Sequence, residues 1–130
     1  MMDIMDYFVQ RIIEVNHPWQ YNWVISIASN GTLYFEPEVQ AFINKYKKHL
    51  AFSVSIDGNK ELHDTCRVFP DGTGSYDLAI EAVHHYVNVL HGLMGSKMTL
   101  APNNIMHTFS AIKGLIEEGY NDIYLNCVFE

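Results

Sequence analysis

Leu50-Ala51-Phe52-Ser53-Val54-Ser55-Ile56, closed by Asp57-Gly58, is the stretch whose reading decides the fold. The run is apolar and short, and an Asp-Gly pair ends it as a turn, so it reads as a strand. Upstream, Glu36-Pro37 opens a helix, with Pro at a first-turn position where a missing N–H costs nothing. Val39, Phe42, Ile43, Tyr46 and Leu50 continue its apolar stripe. Downstream, Ser75 is a good helix N-cap with acidic Asp77 in the first turn. Leu78, Ala82, Val83, Tyr86 and Leu90 form that helix's buried face. A strand entered from one helix and left through another must lie parallel to its neighbours, and its crossovers must be right-handed.

The same alternation extends to both ends. A first helix runs from about Asp3 to Val15, with Met5, Phe8, Val9, Ile12 and Ile13 at helical spacing and Pro18 beyond its end. Trp23 to Ala28 is a β-rich run stopped by Ser29-Asn30-Gly31. Gly92 and Gly95 flank the turn into a third strand, Lys97 to Ala101. Asn103 or Asn104 caps a fourth helix with the stripe Ile105, Phe109, Ile112, Leu115 and Ile116, and Gly119 is its C-terminal cap. Ile123 to Val128 is the last strand. The chain therefore reads as one α/β domain over residues 1–130, four helices alternating with a four-stranded parallel sheet. Tyr7, Phe8, Phe42, Tyr46, Tyr86 and Phe109 fall at core spacing, and Cys127 is expected in the core because free cysteine is commonly buried.

Composition narrows the function. A hydrophobic fraction of 48% suffices for a core, and a net charge of −7 with scattered basic residues argues against a nucleic-acid partner. Lys45, Lys47 and Lys48 read as a solvated helix face. No run approaches membrane-spanning length, and nothing reads as a secretory signal. Two cysteines, Cys66 and Cys127, leave no disulfide framework and no multi-thiolate metal site within the chain, in keeping with a reduced, cytoplasmic setting. The seven histidines show no metal-ligand spacing. Cys66 has His63 near in sequence but no orienting partner for nucleophilic catalysis. Neither a Walker loop nor Gly-x-Gly-x-x-Gly occurs.

In parallel α/β folds, ligands bind beyond the carboxyl ends of the strands. Those ends carry Ser29-Asn30-Gly31-Thr32, Ser55-Ile56-Asp57-Gly58, Pro102-Asn103-Asn104 and Asn126 through Glu130. Tight turns prefer the same residue types, so turn chemistry and ligand binding both account for them. The connection from Asn59 to Gly74 is more telling, because most such loops run about 2–6 residues and long ones are often binding loops or lids. It holds His63, Asp64, Cys66 and Arg67 and a flexible Asp71-Gly72-Thr73-Gly74 tip. Arg67 is suited to clamp a carboxylate or ribose hydroxyl, or else is a solvated surface residue.

The run Phe52-Ser53-Val54-Ser55-Ile56-Asp57-Gly58-Asn59-Lys60-Glu61-Leu62-His63-Asp64-Thr65-Cys66-Arg67, followed by Gly72-Thr73-Gly74-Ser75-Tyr76-Asp77, closely resembles radical S-adenosylmethionine (SAM) enzymes of the peptide- and sulfatase-maturing (SPASM or twitch) branch. Ser29-Asn30-Gly31-Thr32-Leu33 resembles that group's Thr-Asn-Gly-Thr-Leu. Asn59 stands where the group often has Pro. The family's Cys-x-x-x-Cys-x-x-Cys cluster loop and Gly-Gly-Glu-Pro motif have no counterpart here. The resemblance implies the third to sixth strands of a partial (β/α)6 TIM barrel. It implies SAM and a four-iron, four-sulfur cluster as cofactors of the complete enzyme and a peptide or protein as its substrate. Ser29, Asn30, Ser55, Asp57, Arg67 and Asn103 are then candidate cofactor-binding residues.

Without the cluster thiolates the chain is expected to be an inactive fragment on its own, with no cofactor bound, and its exposed sheet edges invite dimerisation. Two alternatives predict other things. A stand-alone nucleotide-binding module predicts a doubly wound sheet with the first strand inside it. A partner-interaction subunit predicts a second chain that completes the barrel.

Overall fold

The computed structural model of the chain describes residues 1–16, 23–102 and 104–128. Five helices and four strands follow one another: α1 (Met2–Asn16), β1 (Ile25–Ser29), α2 (Pro37–Tyr46), β2 (Leu50–Val54), α3 (Lys60–Cys66), α4 (Tyr76–Asn88), β3 (Met94–Leu100), α5 (Thr108–Glu117) and β4 (Tyr120–Cys127). Short 3-10 turns precede β2 and α5. All strand pairs are parallel and the order is β1-β2-β3-β4. The first strand lies at an edge, which rules out the doubly wound alternative.

This order has a strong consequence. When every crossover has the same hand and the strands add in sequence, all helices fall on one face of the sheet. The alternation of burial agrees. Leu50, Phe52 and Val54 of β2 and Met94, Ser96, Met98 and Leu100 of β3 are buried beneath the helices. From α2 come Phe42, Ile43 and Tyr46, and from α4 come Ala79, Ala82, Val83 and Tyr86. The opposite face carries Ser26 and Ala28, Ala51 and Ser53, Gly95, Lys97 and Thr99, then Asp122, Tyr124 and Asn126. None of these is buried. Parallel sheets usually hide both faces; among the described residues one face here is bare, and its side chains are small or polar.

Several expectations need correction. The Asn59–Gly74 connection is not an open loop. Asn59 accepts the Leu62 N–H through its side chain and starts α3, too short a helix to show a period. Ser75 does not cap α4; the Asp64 carboxylate accepts the Tyr76 N–H at 3.0 Å instead. Strand β3 starts at Met94, because Gly95 is a strand residue whose missing Cβ lets Ser53 approach. The carboxamide of Asn104 caps no helix and ties Ala101 N–H to Thr99 C=O. Tyr7, Phe8, Phe109 and Cys127 are exposed, as are Leu78, Ile105 and Ile116 from the expected stripes. Most of them sit on the outer elements α1, α5 and β4, against which nothing further packs among the described residues. Phe42, Tyr46 and Tyr86 are buried as expected.

Two contacts hold the layers in place. Tyr46 Oη donates to Asp6 at 2.7 Å and Lys45 pairs with the same carboxylate, which fastens α1 to α2. The buried Tyr120 hydroxyl donates to Val54 C=O at 2.9 Å, linking the start of β4 to the end of β2. Burial pushes that phenol far above its ordinary pKa, so it stays a donor.

Gly31 and Gly72 allow a controlled test, since both have positive φ, +79° and +86°. A Cβ on Gly31 would lie 2.9 Å from Val54 Cγ1, whereas one on Gly72 meets nothing within 4 Å. Gly72→Ala is therefore expected to cost about 1 kcal/mol from backbone strain alone. Gly31→Ala adds overpacking of about 1–3 kcal/mol. Urea unfolding of the two variants measures the difference.

Candidate ligand-binding site

The carboxyl ends of the strands form a rim above the bare face. At the end of β1, Ser29 Oγ accepts the Gly31 N–H at 3.1 Å, and Asn30 Oδ1 accepts the Thr32 N–H and hydroxyl. These are turn contacts. They occupy acceptor positions and leave the Ser29 hydroxyl proton and the Asn30 amide protons free to donate. Ser55 continues the bare-face alternation beyond β2. Its N–H donates to Ser29 C=O at 2.9 Å, and its hydroxyl has no protein partner among the described residues. Asn103 lies outside the described residues, as do the last two residues of the β4 rim segment.

Asp57 and Arg67 meet each other. Arg67 Nε donates to Asp57 Oδ2 at 2.5 Å and its terminal nitrogen donates to Oδ1 at 3.2 Å. Asp57 Oδ1 also accepts the Thr99 N–H at 2.8 Å. The Asp57 side chain is 7% exposed and that of Arg67 is 28% exposed. The pair thus joins the end of β2, the α3–α4 connection and the end of β3. The Asp57 carboxylate is taken up in this clamp, while Arg67 keeps further N–H groups that face no protein acceptor among the described residues.

His63 is the centre of the same region and is fully buried. Its Nδ1 accepts the Asp57 N–H at 3.3 Å, so the proton of the neutral ring sits on Nε2 and is donated to Ser75 Oγ at 3.0 Å. Ser75 in turn donates to Arg67 C=O at 2.8 Å. Desolvation, then the charge of Arg67, lowers the pKa of His63 below its ordinary 6.5 and keeps the ring neutral. Gly74 completes the arrangement: a Cβ there would collide with the Asp64 carboxyl group, which needs that space to cap α4.

The His-Asp-x-x-Arg segment thus holds the rim together, and Cys66 next to it is exposed and outside the network. The sequence reading named these residues but missed the joint they form, because its partners lie on different elements. It also missed the bare-face positions Lys97, Thr99 and Tyr124. The polar–apolar alternation of Lys97-Met98-Thr99-Leu100 is the signal that marks the first two. Among the described residues, no group of three His, Cys, Asp or Glu side chains is placed to hold a metal ion.

The titration of His63 has a definite sign. Below about pH 6.5 the unfolded chain binds a proton that the folded ring refuses, so stability falls as pH drops from 6.5 to the lower folded pKa and levels off below it. Denaturation midpoints between pH 7.5 and 5 are expected to fall, and to fall less in His63→Leu. Imidazole NMR of the unmodified chain should place the His63 midpoint below 6.5.

No protein-family model matches the chain, and no curated protein does. Solved structures do match. A structure of histidine-tagged anSMEcpe with bound AdoMet superposes at a TM-score of 0.74, with 17% identity over 95% of this chain and 32% of the other. One of native anSMEcpe with bound AdoMet and the Kp18Cys peptide matches at 0.74, with 17% identity over 95% of this chain and 34% of the other. That protein is a radical SAM anaerobic sulfatase-maturating enzyme. The chain spans about a third of the length of the structures it matches. Its fold is that of the matching third of these structures.

Proposed function

We propose that this chain is the SAM-facing wall of a radical SAM peptide-modifying enzyme, and that it is not catalytic by itself. The observation that carries the reading is the bare, polar face beneath a rim of free hydrogen-bond donors. A sheet face of small and polar side chains suits a ligand cavity; a packed barrel interior uses bulky aliphatic residues. The likeness to radical SAM structures, two of them solved with AdoMet and one of these also with a peptide, supports the choice of ligands. Among the described residues no helix is long and apolar enough to cross a membrane, and the setting we propose is the reduced cytoplasm.

SAM fits the rim chemically. Ser29, Asn30 and Ser55 offer free donors to ribose hydroxyls or the amino-acid group, and Arg67 offers a charged donor to its carboxylate. Asp57 contributes by holding Arg67. Asn103 belongs to the set by its position in the sequence. Bound SAM supplies a sulfonium whose reductive cleavage yields the hydrogen-abstracting radical. This chain's share is to bind, orient and shield it. The iron–sulfur cluster does not fit the residues present, since Cys66 and Cys127 are its only thiols, both are exposed, and they stand on α3 and β4. The thiolates must come from elsewhere.

NMR titration of the chain with SAM tests the proposal. Millimolar SAM is expected to shift the amides of the Ser29–Asn30 and Ser55 rim, and Asn30→Ala with Ser55→Ala to weaken the effect severalfold. Ser29 and Asn30 also line the apolar cavity of about 310 Å³ between α1, α2 and β1, so shifts at Met5, Val39 and Ile43 of that cavity with none at Ser55 would overturn the reading. Tight calorimetric binding by the chain alone would favour a stand-alone module.

The outer edges of β1 and β4, unpaired among the described residues, are where further strands would pair, from a partner chain or a second copy. Light scattering at high concentration reads the second case: self-association grows with concentration, and a strictly monomeric species excludes it.

A further inference from the structure

We infer that Lys97 reads a carboxylate on the molecule that occupies the bare face, which makes an acidic peptide the substrate class this wall admits. The inference rests on the reading of that face as a ligand cavity and adds the chemistry of its occupant.

Lys97 is the fourth of seven residues of β3 and the only basic residue in any of the four strands. Strand β3 is interior in the sheet order, paired with β2 at Met94 and Gly95 and with β4 from Met94 to Leu100. Lysine is depleted from strand interiors and is typical of edges, where it discourages pairing. An interior parallel strand has no such use for it. A residue that breaks the local rule without structural gain marks a functional position.

Its surroundings give it no structural partner. Buried Met98 and Ser96 point to the helices, so Lys97 projects from the bare face and is exposed. Gly95 and Thr99 flank it along the strand, and Tyr124 is its register partner on β4. Arg11, Lys45, Lys60, Lys113 and Arg67 each have a carboxylate within 4.0 Å; among the described residues Lys97 has none, and neither do Lys47 and Lys48 of the 3-10 turn before β2. Asp122, the one acid on that face among the described residues, acts on Tyr124 and raises the pKa of its phenol. The position lies three residues, about 10 Å, below the end of β3, on the bare face and below the rim donors. A chain of net charge −7 repels anions, so an acidic occupant needs a local cation, and Lys97 is placed to supply it. The Tyr124 hydroxyl and Thr99 hydroxyl stand beside it as neutral hydrogen-bonding groups.

The test uses the full chain and the ¹H–¹³C signal of the Lys97 Cε methylene. The probes are a capped Gly-Glu-Gly peptide, its Gly-Gln-Gly counterpart, SAM and decarboxylated SAM. The Glu peptide is expected to shift the signal and the Gln peptide to leave it in place. Lys97→Met, a change at an exposed side chain, should weaken the Glu peptide about tenfold, and Lys97→Arg should restore most of it. Equal shifts from both peptides, or unchanged affinity in Lys97→Met, overturn the inference. If SAM shifts the signal, decarboxylated SAM does not, and the peptides behave alike, the carboxylate is the cofactor's and the acidic-peptide assignment fails. If the Glu peptide acts through Lys97 while SAM moves no rim amide, the SAM reading fails and this one stands.

Discussion

Everything in this molecule follows from strands that add to the sheet in chain order through crossovers of one hand. That rule confines the helices to a single face. It makes Val54, Met94 and Met98 a core and leaves Ser53, Lys97 and Thr99 uncovered. It also leaves two free edges, because a sheet that only grows in one direction never covers its ends. A doubly wound arrangement of the same elements would bury both faces and put its ligand in a crevice between reversed connections. Here the proposed ligand surface is the sheet itself.

The rim depends on a buried joint with a demanding geometry. Neutral His63 accepts a hydrogen bond from the Asp57 N–H and donates one to Ser75 Oγ, and the Asp57 carboxylate binds Arg67 and the Thr99 amide. A buried ion pair of this sort adds little net stability over a well-packed apolar substitute, yet loss of one partner is costly. Its return is positional. It fixes the ends of β2 and β3 against the start of α4, which are the places that would face a bound cofactor. The resemblance motif is therefore largely architectural, and in the proposed function it acts on the ligand through the orientation of Arg67.

Much of the fold was legible in the residues. The Leu50–Ile56 run, Pro37 at the start of α2 and the stripes of α2 and α4 sufficed for parallel alternation, because period and capping are local properties. The misreadings came from competition between local and distant partners. Ser75 is an ideal cap by type, but His63 and the Arg67 carbonyl claim its hydroxyl, and Asp64 caps α4 from another element. Gly95 resembles a turn residue, but it serves a close approach to Ser53. Phe109 stands at core spacing and Cys127 is of a commonly buried type, yet the outer elements that carry them have no further neighbour to bury against among the described residues.

By itself, then, the sequence determined the elements, their parallel direction and the polar character of the strand ends, all set within a few residues of each position. Only the tertiary structure decided which polar residues are used up and which remain free. Asp57 is spent on Arg67 and Thr99, while Ser55 and Lys97 face open space. The reason is physical: a hydrogen bond or ion pair is settled by distance in space, and the partners of Asp57 lie 10 and 42 residues away along the chain.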